Sequence, residues 1–560
     1  MPVTYDAIVV GSGISGGWAA KELCEKGLRT LVLEAGGPTD PATDYTMNVQ
    51  PWQLHFHGWG DRQKLEREQN VQRRCYACDE WSGKFFVNDL DNPYVEAPGS
   101  RFDWIRGRQV GGRSITWGRQ VYRWSDLDFE ANARDGFGTD WPIRYADIAP
   151  WYDYVERYIG ISGNAEGLSQ LPDGQFLPGM PLNAAEQFVR DGLARRYGRE
   201  RVLTIGRCAI LTENHRGRAA CSYCGVCERG CSTFSYFNSV HVTLPAAQAT
   251  GKLTLRPWSV VHSVAYDARR GKASGVRVID ARTGEALEFN ARVVFLCASA
   301  LESTRILLNS TSERWPNGLA NSSGALGKYL MDHWMGWGAH GDVPGFEDKT
   351  TSGSRPNGTY LPRFRNVTER SPDFLRGYGY QGGGGRGGWG RGSSMPGFGR
   401  TLKEALRTPA PWTYSMSAWG ECLPRETNFI ALDPAVKDKW GIPALRITCA
   451  WDDNARAAMR DASVQAAEML EAAGVRNVRQ HQADNAMGLT IHEMGTARMG
   501  KDRSTSVLNG WNQAWDVPNV FCTDGACMAS NANQNPSITY MALTARAADH
   551  AVDLMRRREL

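Results

Sequence analysis

The stretch YDAIVVGSGISGGWAAKELCEKGLRTLVLEAG, residues 5 to 36, decides the fold. It opens with a short apolar run rich in β-branched residues, passes through glycines into helical periodicity, and ends on a second apolar run. That order is strand, helix, strand: one βαβ unit. Gly11, Gly13 and Gly16 stand at the strand-to-helix junction as G-x-G-x-x-G. The first makes a tight turn, the second lets backbone approach a pyrophosphate, and the third lets helix pack on strand. The new helix offers its N-terminus, with Ser15 in its first turn, to the phosphates. Glu34 closes the second strand, where a carboxylate can hold ribose hydroxyls. A dinucleotide is the expected ligand, and this fingerprint leaves FAD and NAD both open.

Outward from this unit the pattern stays mixed α/β. ARVVFLCASALESTRILLN (291–309) reads as a buried strand entering a helix. NVFCTDGACMAS (519–530) followed by NPSITYMALTARAADHAVDLMRRREL (535–560) repeats that order, with Pro536 suited to the first helical turn. Between 341 and 450, β-like segments such as WTYSMSAWGE and ALRITCAW surround the glycine-rich GYGYQGGGGRGGWGRG (377–392). The glycine-rich stretch is expected to be a mobile or tightly turned loop of a substrate domain. Its two RGG-like units are too few, and too embedded in strand-like sequence, to bind RNA.

Length and composition narrow the classes. The chain's 560 residues suffice for two domains, and 42% hydrophobic with 22% charged content is ordinary for a globular protein. A net charge of +4 is small for this length and points neither to nucleic acid nor to an anionic membrane surface. No apolar run approaches the ~20 residues that span a bilayer, so no membrane insertion is expected. The opening MPVTYDAIVVGSG lacks the basic and apolar regions of a signal peptide, so the chain is expected to carry no export address of its own.

Of thirteen cysteines, four crowd into CSYCGVCERGC, residues 221–231. Cys221, Cys224, Cys227 and Cys231 have the spacing C-x2-C-x2-C-x3-C, in which each short gap returns the next sulfur to one centre. One iron–sulfur cluster held by three or four thiolates, [3Fe–4S] or [4Fe–4S], is expected. A closed tetrahedral zinc site is the rival. Cys75 and Cys78 form an isolated C-x2-C and are expected to be free thiols.

GRQVGGRSITWGRQVYR (107–123), ASALESTRILLNS (298–310), IHEMGTARMG (491–500) and TDGACMASNANQNPSITYMALTARAAD (523–549) resemble the glucose–methanol–choline oxidoreductase family, in that family's order and over essentially the whole length. The resemblance implies an α/β chain: a Rossmann-like FAD-binding domain from 1–135, 200–310 and 485–560, including a cysteine loop at 219–233. An inserted α+β substrate domain with an antiparallel sheet takes 136–199 and 311–484. By motif, Gly111, Gly112, Ser114 and Trp117 would lie along the pyrophosphate and flavin edge, and Val260 or Val261 by the adenine. Asp524 and Gly525 would meet the ribityl and phosphate region. Some relatives link FAD through a histidine near the GG pair. Arg113 and Ser114 stand there, with no histidine between His57 and His215, so FAD is expected to be non-covalent.

Alcohol oxidation by a flavin needs a base for the hydroxyl proton. His492 occupies the position of the family's base, and Asn535 that of its partner, an amide able to hold the substrate oxygen. Gln381, Trp389 and Glu421, in the substrate domain, are candidate sugar contacts. A flavin holds two electrons, and the cysteine quartet suggests release one at a time to a protein acceptor. The family's sugar dehydrogenases with a cluster look similar, and these work with a small companion subunit and a cytochrome. The expectation is therefore a glucoside 3-dehydrogenase acting on a sugar or glycoside, periplasmic through a signal-bearing companion, with the cytoplasm as alternative. The alternatives in chemistry are an aldose C1, polyol or gluconate dehydrogenase and an oxygen-using glycoside 3-oxidase. A flavin-free, zinc-stapled binding protein is the non-enzyme alternative.

Overall fold

The apolar run at the N-terminus becomes the strand Thr4–Val10, with Ala7, Ile8 and Val9 fully buried. It pairs in parallel with Thr30–Leu33 on one side and Ala286–Leu296 on the other. The computed structural model, which describes residues 4–54, 56 and 60–560, completes this seven-stranded sheet with Leu253–Arg256, Val520–Cys522, Lys272–Asp280 and Ser259–Asp267. Strand Ala286–Leu296 changes partners along its length. Its first half runs antiparallel to Lys272–Asp280, and its end runs parallel to Val520–Cys522. Parallel strands covered on both faces read as unbroken apolar runs, which is the pattern of VVFL and VFC. Helix Ile14–Glu25 lies over the sheet with helix Ser537–Arg556 against it. Ala19, Ala20 and Leu23 of the first share a core with Ala547, Ala548, Ala551 and Val552 of the second.

A second, six-stranded sheet is built from Arg476–His481, Trp334–Val343, Trp412–Gly420, Tyr378–Arg386, Thr359–Leu361 and Thr204–Ile205, in that order. All its pairings are antiparallel. Helices Asp453–Ala472 and Ala184–Tyr197 cover one face, burying Ala462, Ala466, Met469 and Val189 against Tyr380 and Tyr414. Phe429–Lys437, Pro443–Thr448 and Val95–Glu96 form a separate three-stranded sheet.

Three sequence expectations differ from what forms. Residues 378–386 of the glycine-rich stretch are a strand, not a loop. Glycine is required there by close approach: a Cβ on Gly382 would stand 2.5 Å from the Ser415 carbonyl oxygen of the next strand. Thr204–Ile205 pairs with the antiparallel sheet although 200–310 was assigned to the FAD-binding domain. Helix Tyr145–Ile159, assigned to the substrate domain, turns Ile148, Tyr152, Val155 and Ile159 into the main core, and the Tyr152 hydroxyl meets Thr539 Oγ1 at 2.8 Å. Its apolar stripe dictates that placement. Among the described residues no helix is long and apolar enough to cross a membrane.

Candidate active site

One cavity of about 550 Å³ runs from the glycine turn to His492 and Asn535. At its first end Gly11 has φ +94°, and a Cβ there would stand 2.5 Å from the Cys297 carbonyl oxygen. A Cβ on Gly16 would stand 2.0 Å from the Gly11 carbonyl oxygen, so strand and helix meet backbone to backbone. Glu34, buried on this wall, accepts from Ser12 N at 3.1 Å, Ser12 Oγ at 2.6 Å and Gly36 N at 2.9 Å. Burial raises its carboxyl above the usual range against the pull of those donors. Gly111 N donates to Ser12 Oγ at 3.0 Å, which ties the GG pair to the turn.

At the other end, His492 Nε2 faces Asn535 Nδ2 at 3.4 Å, and Gln381 Nε2 donates to Asn535 Oδ1 at 2.8 Å. His492 Nδ1 lies 2.8 Å from His333 Nδ1, and the Trp419 ring centroid lies 5.5 Å from that of His492. Burial, then His333 and Arg113, hold the His492 imidazole well below its ordinary pKa, so it is neutral and can accept a proton. Arg113 is itself paired with Glu493, at 3.0 and 2.9 Å. Ser537, at the positive N-terminal end of helix Ser537–Arg556, also lines the cavity. This is a half-buried, neutral base beside a carboxamide, in a cavity whose far end is built for a dinucleotide.

Two family models, both described as GMC oxidoreductase, match residues 5–335 and 424–544. This chain belongs to the GMC oxidoreductase family. Among characterised relatives, the 2-methyl-1,2-propanediol dehydrogenase of Mycolicibacterium austroafricanum is 30% identical over 97% of this chain and 94% of that protein. The fructose dehydrogenase large subunit of Gluconobacter japonicus is 24% identical over 98% and 97%. The C-glycoside 3-oxidase of Microbacterium trichothecenolyticum is 24% identical over 99% and 97%. Pyridoxine 4-oxidase from Mesorbium loti has the same fold, with a TM-score of 0.61 at 18% identity over 97% of this chain and 98% of that one.

The GMC cavity fits FAD. Arg108 Nη1, Asn309 Nδ2 and the Tyr540 hydroxyl are buried on its lining without a hydrogen-bond partner, as groups awaiting a polar ligand are. Gly11, Gly13, Ser15, Glu34, Gly112, Ser114, Trp117, Val260, Val261, Asp524 and Gly525 also line it. Gly16 and Gly111 stand behind that wall. Asp524 accepts from Ser303 Oγ at 2.5 Å, Ser299 N at 2.9 Å and Ala526 N at 3.0 Å. His57 lies outside the described residues, and the histidines on the lining are His262 and His492.

Three expected groups are placed otherwise. Trp389 sits on a short 3-10 turn where its strand has left the sheet, 69% exposed and away from the cavity. Glu421 is buried in an ion cluster, 3.0 Å from Arg363 and 3.8 Å from Arg376, and burial pushes its carboxyl up to about 7. Neither lines the cavity, whereas Gln381 does. The cysteine quartet is the third: among the described residues, no group of three or more His, Cys, Asp or Glu is arranged to hold a metal ion. Cys224 is exposed, and Cys231 is buried against Thr233 and Ser235 hydroxyls, each at 3.3 Å. Positive φ values at Tyr223, Gly225 and Gly230 turn the chain between successive cysteines, and Cys221 and Cys227 pack in one cluster with Cys231. Burial raises the Cys227 thiol to about 11 and also raises Cys221, whereas at Cys231 burial is outweighed by hydrogen bonds with Ser235 and Thr233, which lower it. Cys75 and Cys78 are buried free thiols.

Proposed function

We propose that this protein is an FAD-dependent dehydrogenase that oxidises a secondary ring hydroxyl, C3 of a glucoside, to the 3-keto sugar and delivers the electrons to a protein acceptor. The reading is carried by the pairing of His492 Nε2 with the Asn535 amide on a cavity shared with the dinucleotide turn. FAD, when bound, supplies the hydride acceptor. His492 takes the hydroxyl proton at Nε2, and burial keeps its ring neutral beforehand. Asn535, its Oδ1 engaged by Gln381, presents Nδ2 hydrogens to the substrate oxygen. Arg113, paired with Glu493, opposes a positive charge on the resting base.

Support for a ring hydroxyl comes from the C-glycoside 3-oxidase relative. The 2-methyl-1,2-propanediol dehydrogenase relative favours a second reading, a small open-chain polyol. An anaerobic absorption spectrum with methyl glucoside, whose anomeric position is blocked, separates them. Bleaching of the flavin band is expected. Bleaching by free glucose alone would move the chemistry to C1, and bleaching by a small diol alone would favour the second reading.

In the same proposal the quartet is the candidate holder of one iron–sulfur cluster, supported by its spacing alone. Iron and acid-labile sulfide are expected in anaerobically purified protein, and their absence removes the cluster. A signal-bearing companion subunit and a periplasmic location complete the reading, supported by the fructose dehydrogenase relative being a large subunit.

A further inference from the structure

Asp332 and His333 are fully buried beside the catalytic pair and belong to none of the motifs that announced the site. They precede strand Trp334–Val343. The Asp332 carboxylate accepts from Gly488 N at 2.6 Å, from His492 N at 3.2 Å and from the Thr490 hydroxyl. Its own carbonyl accepts from Asn531 Nδ2 at 3.2 Å. Met331 and Met494 exchange two backbone bonds of 2.9 Å alongside. This short segment therefore holds both the loop that carries His492 and the loop that carries Asn535.

His333 goes further, because its partners fix where its protons are. Its Nε2 meets the Ala532 carbonyl oxygen, which can only accept, so Nε2 carries hydrogen. A neutral imidazole has one N–H, so His333 Nδ1 is bare and must accept. The atom facing it at 2.8 Å is His492 Nδ1, which must then donate. A neutral His492 with its proton on Nδ1 has a bare Nε2, and the group facing that nitrogen at 3.4 Å is a donor, Asn535 Nδ2. The chain of donors and acceptors closes without a conflict.

The charges around the pair agree. Asp332 spends its carboxylate on Gly488, Thr490 and His492 N, so it does not draw a proton onto the His333 ring. Glu493 is engaged by Arg113, whose charge opposes a cation on His492. Burial lowers His333 to about 4, keeping it neutral.

We infer that His333 is a positioning residue: it locks His492 in the tautomer protonated at Nδ1, and so aims the Nε2 lone pair at the reacting hydroxyl. The inference rests on the proposed role of His492 as base, and deepens it. Without an acceptor at His333, His492 is free to put its proton on Nε2, where it blocks proton removal. A wrong tautomer in a histidine base costs on the order of 10⁴ in kcat in the serine protease triad.

The test is nitrogen-15 NMR of histidine-labelled holoenzyme without substrate, with the His492 signals found by difference from His492→Gln. The expected spectrum has the His492 proton on Nδ1 and none on Nε2. A proton on Nε2, or on both nitrogens, overturns the inference. His333→Gln, which offers a carbonyl oxygen, is expected to keep that tautomer and a flavin-reduction rate within about tenfold of the parent. His333→Phe is expected to lose the tautomer and to drop kcat by about 10²–10⁴ with KM little changed. A folded His333→Phe enzyme with the parental tautomer and rate overturns the inference. If that variant does not fold, the parent spectrum decides. The spectrum needs no substrate, so the expected tautomer in an enzyme whose flavin no alcohol reduces would sink the proposed function alone.

Discussion

At the nucleotide end of the cavity the entry is shaped by the glycines of a single turn, with side chains such as Glu34 and Asp524 around it, while at the catalytic end the working groups are side chains from five places: His333, Gln381, Trp419, His492 and Asn535. The first end is specified by sterics, since a Cβ on Gly11 or Gly16 has nowhere to go. The second is specified by hydrogen-bond complementarity, in which each donor must face an acceptor. Damage should therefore spread differently. Substitution at the turn should release the cofactor, whereas substitution at the base should spare binding and remove chemistry.

The sharpest trial is His492→Ala. Flavin reduction is expected to slow by about 10²–10⁴ while FAD content and thermal stability stay near the parent. An unchanged rate would dissolve the distinction between the two ends. Gly11→Ala is the complementary trial. The strained φ and the clash with Cys297 should cost about 1–3 kcal/mol, read as a lower flavin-to-protein absorbance ratio and an earlier melt. The rate per bound flavin should not change, and a loss there would mean that the ends are coupled.

The smallest effect concerns pH. Burial first, with Glu493 nearby, lifts Asp332 from an ordinary 3.8 to about 7 in the fold. The folded state then binds this proton more tightly than the unfolded chain, so the group's stabilisation is full below about 4 and lost as pH rises through about 7. Asp332→Asn should flatten part of the fall in melting temperature between those values, Glu421 supplying the same sign of slope over its own window. An identical pH profile in the variant would place the Asp332 carboxyl in its ordinary range.

Local spacing made the nucleotide end legible: G-x-G-x-x-G, its flanking strands and Glu34 sit within one βαβ unit, where period and turn chemistry suffice. His492 and Asn535 were legible only by resemblance, since nothing in their spacing brings them together. Asp332 and His333 were missed because MDHW carries no periodic or motif signal, and burial becomes visible only when the loops around 490 and 532 close over it. The glycine strand was misread because a run of glycines looks like a loop until a neighbouring backbone is seen 2.5 Å from the absent Cβ. Glu421 was misplaced because a carboxylate in a substrate domain looks like a sugar contact until its arginines are found. The cysteine spacing reads as a metal set, and the fold packs Cys221 and Cys227 with Cys231 but leaves Cys224 exposed, which spacing alone does not specify.

The split pairing of strand Ala286–Leu296 bears on how the protein is made. Its parallel neighbour Val520–Cys522, and the helix Ser537–Arg556 that packs on Ile14–Glu25, lie far along the chain from the strand Thr4–Val10. The sheet that Thr4–Val10 enters thus waits, one partner short, until Val520–Cys522 has been made, and closing so long a loop is slow. Cofactor loading then waits for residues 520–556 to be made, and a chain cut off before residue 520 presents an open sheet edge to cellular quality control rather than a smaller flavoprotein.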